Sequence, residues 1–399
     1  MNAPQFTQQR PQAIAWDIAR DAPQLHAALA AGVPALDRRL AQLRAALPCA
    51  ASVAPFSGAA PDGDYVRPYR HLRAFYQQLP GGVFAFKGTE PYAADRDAHL
   101  RTLAEFRVDY PARGRSLFSA AEHFALVEQK TPLALGLDEA LDDARIASAL
   151  QAAHLARFGE LARLPTPLLA IAWPRSTRDE HLAALRPLLS QRALRIVETC
   201  TQSGLGALVY HYPSVPIRVA HLPVELATRG DEPWLQRLAK RTDPALAVER
   251  WIDLVARLLA LGWLPGRTDH IGIGHCVEMQ NAVIDGGFVD VGSVIAMGQV
   301  AGERAFQEML LAAMADLSKT IRHFILGPAP DAEAEYRNPS LAMLQTLHRV
   351  LPALAERVAL HQPADPRLLR ALARRAPFDA LAEELTLLTP GAPSMRQHT

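Results

Sequence analysis

The sequence predicts an α+β chain of two lobes, and three observations predict it. Its 399 residues exceed what one small core needs and suffice for two. Strand-like runs rich in aromatic and β-branched residues cluster in the first half, whereas helical periodicity dominates after it. No fixed-period repeat is visible that would make the chain a solenoid instead.

The elements follow in order. Residues 12–47 read as two helices, punctuated at AGVPAL by Gly32 and Pro34, with Leu36, Leu40, Leu43 and Leu47 at helical spacing. Residues 1–55 are therefore expected to form a helical N-terminal extension. The Pro/Gly/Ala/Ser-rich stretch ASVAPFSGAAPDGDYVRP reads as a loop. After Gly81-Gly82, GGVFAFKGTEPY is a strand, and DRDAHLRTLAEFRV a helix whose stripe of Leu100, Leu103 and Phe106 leaves Arg101 and Glu105 on other faces. Two more helices fill 120–163. PTPLLAIAW and ALRIVETCTQSGLGALVYHYPSVPIRVAHL then read as strands, the latter pair joined at Ser203-Gly204. Residues 56–225 thus form a lobe of mixed strands and helices.

Residues 226–399 read as a mainly helical second lobe. An amphipathic helix begins at Asp243 and runs into a polar loop and short hairpin, GHCVEMQNAVIDGGFVDVGS, within a candidate metal-binding loop at 270–293. From about 299 onward the pattern is helical, with Asn338-Pro339 as one start signal. Strand with lysine, helix with glutamate, more strands, long helix, polar loop, hairpin with aspartate, helical remainder: this is the order of a two-lobed protein-kinase-like fold.

Composition narrows the function classes. Lys plus Arg number 42 against 41 Asp plus Glu, which offers no basic excess for a nucleic-acid or membrane partner. Cys49, Cys200 and Cys276 are odd in number and lack metal-ligand spacing, so neither a disulfide framework nor a structural zinc site is expected. With no leader-like start and no apolar run of about 18 residues, a cytoplasmic protein is expected. Among the 42 basic residues only Lys87, Lys130, Lys240 and Lys319 are lysines, so each is a candidate for chemistry that a point charge serves better than a guanidinium.

Phosphate transfer from ATP needs positive charge on the phosphates, a partner that holds that charge, and oxygen ligands for magnesium. Lys87 in VFAFKG sits where a strand would deliver an ammonium, and Glu105, 18 residues on, is its candidate partner. Asn281 and Asp290, nine residues apart around Gly286-Gly287, are candidate Mg²⁺ ligands. Lys130 in VEQKTP is a rival for Lys87, behind the strand-like HFALVEQK. Among Arg96, Arg101 and Arg107, Arg101 is taken as a candidate phosphate clamp. His270 and His275 are as well explained by hydrogen bonds that shape the loop, and Cys276 by packing.

Two blocks covering about forty residues carry a resemblance. FKGTEPYAADRDAHLRTLAEF, residues 86–106, and HCVEMQNAVIDGGFVDVGS, residues 275–293, resemble segments of the selenoprotein O family. The resemblance implies a protein-kinase-like fold, transfer of AMP from ATP to protein hydroxyls, and ATP bound in reversed orientation relative to ordinary kinases. It implies that Lys87 contacts phosphate, that Glu105 orients Lys87, and that Asn281 and Asp290 bind the metal. The family has an acidic residue directly before that Asn where this chain has Gln280, which makes Glu278, His275 and Asp269 the candidates for the acid–base role.

The expected function is an ATP- and Mg²⁺-dependent transferase, a nucleotidyltransferase or phosphotransferase, moving AMP or a phosphoryl group to a protein or small-molecule acceptor. MQN ahead of a strand with a later Asp is also similar to aerobactin-type siderophore synthetases, which would make the chain a carboxylate-activating synthetase. A third reading is a pseudokinase scaffold that binds nucleotide without turnover.

Overall fold

Val83, Phe84, Ala85 and Phe86 are apolar in succession, so the strand they form has no solvent face and must be covered on both sides. All four are buried in β4 (Gly82–Lys87) of the computed structural model, which describes residues 13–46, 65–66, 74–88, 107–110, 114–126, 129–132, 134–266, 277, 280–326, 341–363 and 365–373. β4 pairs with β3 (Ala74–Leu79) on one side and with the wholly buried β9 (Leu205–Tyr212) on the other. Beyond β3 lies β2 (Tyr65–Val66); beyond β9 lies β8 (Thr166–Ala172), then β1 (Ala13–Asp17) at the edge. The short β7 (Leu135–Gly136) pairs with the Leu205–Gly206 end of β9, and every pairing in this seven-stranded sheet is antiparallel. The chain is thus α+β with an antiparallel sheet.

The sheet belongs to the first of two compact units, Met1–Asp109 with Arg115–Pro216; the second is Tyr110–Gly114 with Ile217–Thr399. The expected division at 225/226 therefore falls at Pro216/Ile217. Within the expected helical extension only Ala13–Asp17 differs among the described residues: it is a strand, because the free edge of β8 offers hydrogen-bond partners to AIAWD. Asp17 then accepts the Ala19 N–H and starts α1 (Ile18–Asp21), followed by α2 (Pro23–Gly32) and α3 (Leu36–Ala46).

Other readings change for similar reasons. The end of the helix expected over DRDAHLRTLAEFRV is extended, as β5 (Arg107–Tyr110), which forms a two-stranded sheet with β6 (Gly114–Ser119). The strand-like lead-in to Lys130 is helix α4 (Ala120–Leu126). ALRIVETC is helix α7 (Gln191–Cys200), not a strand. Ser190 caps it by accepting the Ala193 N–H, and Ala193 and Val197, one turn apart, bury against α4 and against Leu182 and Leu185 of α6 (Arg175–Leu185). After Tyr212 the chain leaves the sheet and makes a 3-10 turn at Val219–His221.

At the β3–β4 turn Gly82 has φ +144°, and a Cβ there would collide with the His211 ring and the Tyr212 carbonyl. Burial lowers the His211 pKa, against an opposing pull from its hydrogen bond with the Gly81 carbonyl (3.0 Å), so the ring is neutral and its Nε2–H donates to that carbonyl.

The second unit is mainly helical: α8 (Leu222–Arg229), α9 (Pro233–Arg241), α10 (Pro244–Ala260), α11 (Glu303–Leu326), α12 (Leu341–Leu360) and α13 (Pro366–Ala373), with the two-stranded pair β10 (Trp263–Leu264) and β11 (Ile295–Ala296). Asp243 starts α10 by accepting the Ala245 and Leu246 N–H groups, and α10 packs on α11 and α12, with Trp251, Val255 and Leu258 buried and the Trp251 ring edge-on to Phe324 of α11. Arg367 of α13 donates to the Met297 and Val300 carbonyls, pairs with Asp365 and lies over the Phe306 ring. Among the described residues no helix is long and apolar enough to cross a membrane.

Candidate functional site

The candidate residues with described positions fall in two clusters, one in each unit. In the first, β4 ends at Lys87, whose backbone pairs with Ala74 of β3 and Leu208 of β9, so the side chain starts from a fixed point in the sheet. Across from it runs α5 (Leu137–Phe158), with Asp138 and Glu139 in its first turn and Gly159 in the left-handed conformation at its end. The face that α5 buries is rich in small residues, Ala140, Ala144 and Ala147, and the helix packs on β8 and β9. Close approach is enforced at Gly206 of β9, where a Cβ would lie 3.2 Å from the Ala140 Cβ. That approach lets Asp143 reach Lys87: Nζ donates to Oδ2 at 2.7 Å, with the two side chains 11% and 14% exposed.

Expulsion of water raises the cost of an unpaired charge, so the contact with Asp143 holds the Lys87 side chain in place. One turn back on α5, Glu139 lies 3.7 Å from Lys130, so two of the four lysines meet acidic residues on adjacent turns of one helix. Asp143 was not singled out from the sequence. Its signal is an acidic residue flanking the apolar stripe of a long helix, but Asp138, Glu139 and Asp142 share much of that description.

The second cluster is the hairpin at 281–290. Gly286 has φ +93°, and the Asp285 carboxylate accepts the Gly287 N–H at 3.1 Å, which closes the turn. Ala282 bridges Phe288, and the Val289 N–H donates to the Asn281 carbonyl at 2.9 Å, so Asn281 and Asp290 end the two arms side by side. Trp251 and Arg250 of α10 hold the hairpin by donating to the Gly287 and Asp285 carbonyls. On its other side Val283 bridges Arg218, and the Ile284 and Val219 N–H groups donate to the Ile217 and Ala282 carbonyls. Ala282, Val283, Ile284, Phe288 and Val289 are all buried. Asp290 sits in the left-handed region (φ 57°, ψ 50°), a conformation that Asp tolerates better than most residues. Its carboxylate faces the Arg218 guanidinium at 3.8 Å, another contact that sequence reasoning missed.

Of the residues expected to form the site, Lys87, Asn281 and Asp290 have described positions, and the hairpin brings the last two together. Lys87 pairs with Asp143, 56 residues away. Glu105 and Arg101 lie outside the described residues, as do the acid–base candidates Asp269, His275 and Glu278 and the neighbouring His270 and Cys276.

The donor chemistry at the hairpin fits magnesium. Mg²⁺ takes hard oxygen ligands and is commonly held by one or two carboxylates together with substrate phosphates and water. An amide oxygen from Asn281 and the carboxylate of Asp290 meet that need, and among the described residues no cluster of three His, Cys, Asp or Glu side chains offers a self-sufficient metal site. Lys87, as a compact cation, fits phosphate rather than metal. No protein-family model matches the chain, and no curated protein matches it.

Proposed function

We propose that this chain is an ATP- and Mg²⁺-dependent transferase with a two-lobed protein-kinase-like fold, moving AMP or a phosphoryl group to a protein or small-molecule acceptor. The observation that carries the reading is the nearly buried Lys87–Asp143 pair: a lysine ending a strand of an antiparallel sheet, held by an acidic residue of a long helix packed on that sheet. In protein kinases a strand lysine paired with a helix carboxylate holds the phosphates, and an Asn and an Asp supply the metal ligands. Here Asn281 and Asp290 offer that second set. The likeness to the selenoprotein O segments supports the same assignment for Lys87, Asn281 and Asp290. An ATP consumer of this kind belongs in the cytoplasm.

Each side chain then has a stated role. Lys87 neutralises phosphate charge, and Asp143 orients Lys87. Asn281 and Asp290 hold the cation, which when bound would screen phosphate oxygens during transfer. Asp269, His275 and Glu278 are separated as base candidates by single substitutions, since only the base should alter the pH profile of turnover.

The test is incubation of the pure protein with Mg²⁺ and ATP labelled at either the α- or the γ-phosphate, beside Asp290→Ala. Label retained from the α position in wild type alone means AMP transfer, and from the γ position means a kinase. AMP production that requires an added carboxylic acid and amine means a synthetase. Absence of both label transfer and a nucleotide-dependent rise in Tm overturns the transferase reading in favour of a scaffold.

A further inference from the structure

We propose that Arg218 couples the metal site to an anion: its guanidinium faces Asp290 until a divalent cation takes that carboxylate, and then binds a phosphate oxygen of the metal-bound nucleotide. The inference rests on the nucleotide reading above and adds a binding residue to it.

The backbone of Arg218 is fixed. It bridges Val283 of the hairpin, and its carbonyl accepts the His221 and Leu222 N–H groups at 3.0 and 3.1 Å. Its side chain is poorly used by comparison. The 3.8 Å approach to Asp290 Oδ2 is an ion pair beyond hydrogen-bond reach. Nε is buried and has no hydrogen-bond acceptor among the described residues, while the side chain as a whole remains 25% exposed. A guanidinium is a planar fork that matches two oxygens of a carboxylate or phosphate, and its donors are costly to bury unmatched. An anion with several oxygens at this place would supply acceptors that the described residues do not.

The charges give the coupling its sign. With the carboxylate engaged by a cation, Arg218 faces a second positive charge instead of a negative one. A bare divalent ion therefore binds against repulsion, whereas an ion carrying phosphate brings the guanidinium a new partner. Linkage is reciprocal, so the cation and the phosphates each strengthen the other's binding.

The test is titration calorimetry on the full chain with MnCl₂ alone, with preformed Mn²⁺·ATP, and with adenosine. Arg218→Ala should bind free Mn²⁺ severalfold more tightly than wild type, bind Mn²⁺·ATP about tenfold more weakly, and leave adenosine unchanged. Arg218→Lys should fall between them. Opposite signs matter, because general damage to the hairpin weakens both metal forms together. Unchanged binding, or changes of the same sign, overturns the coupling. If Asp290→Ala binds Mn²⁺ and Mn²⁺·ATP as wild type does, the metal-site reading itself falls, and the coupling with it; if Asp290→Ala loses binding while Arg218→Ala behaves as wild type, only the coupling falls.

Discussion

Lys87 at the end of β4 and Asp143 in the second turn of α5 form an ion pair of 2.7 Å in which both side chains are largely buried. Removing one member leaves the other charge without it in a place water barely reaches. Asp143→Ala should therefore cost about 3 kcal/mol by urea denaturation. Lys87→Met with Asp143→Leu should recover most of that stability while abolishing the rise in Tm on adding Mg²⁺·ATP. Retention of the ATP effect in the double variant would remove Lys87 from the site.

Asp290 separates chemistry from conformation. Asn also tolerates the left-handed region, so Asp290→Asn should keep Tm near that of wild type while turnover is lost with the charge of the proposed metal ligand. Asp290→Val, forced into the same backbone shape, should lose a further 1–2 kcal/mol or so. Equal stability of the two variants would mean that the backbone relaxes there freely.

Gly286 should tolerate no side chain. At φ +93° a Cβ would run into the side chain of Arg250, so Gly286→Ala should destabilise the second unit by about 2 kcal/mol. Because the turn sets the spacing of Asn281 and Asp290, metal affinity should fall in the same variant. Calorimetry with Mn²⁺ reads it directly.

His211 makes a pH prediction. Its folded-state pKa lies below the ordinary value near 6.5, chiefly through burial, so the unfolded chain binds the proton more readily. Its stabilisation is then complete above pH 6.5 and is lost as the pH falls from there toward the depressed pKa. His123, half-buried, is shifted in the same direction by desolvation. As the pH falls below about 6.5, Tm should drop, and the slope should be shallower in His211→Gln. Identical slopes would place the acid sensitivity elsewhere.

What was legible in the sequence is what local periodicity and short spacing carry. α10 announces itself by Asp243 and its apolar stripe, and the strand at Val83–Lys87 by an unbroken apolar run. Asn281 and Asp290 could be paired because one tight turn separates them. The contact of Lys87 with Asp143 could not be read in this way, since choosing Asp143 over Asp142 needs the rotation of a helix against a sheet. Arg218 meets Asp290 across 72 residues by the same kind of tertiary accident of position. ALRIVETC fits either period when read alone, and only the facing surfaces of α4 and α6 select the helix. AIAWD is equally ambiguous, and its partner strand lies some 150 residues later.

That last pairing bears on handling and synthesis. β1 emerges from the ribosome before β8 and has no partner until β8 has been made, so the outermost ladder of the sheet closes only after a long loop has formed. Until then, and permanently in a chain trimmed through residue 17, β8 presents a row of unpaired backbone groups on a segment buried at six of its seven positions. Such an edge is a template for pairing between molecules. Light scattering should therefore find the trimmed chain self-associated even though it keeps Lys87, Asp143, Arg218, Asn281 and Asp290.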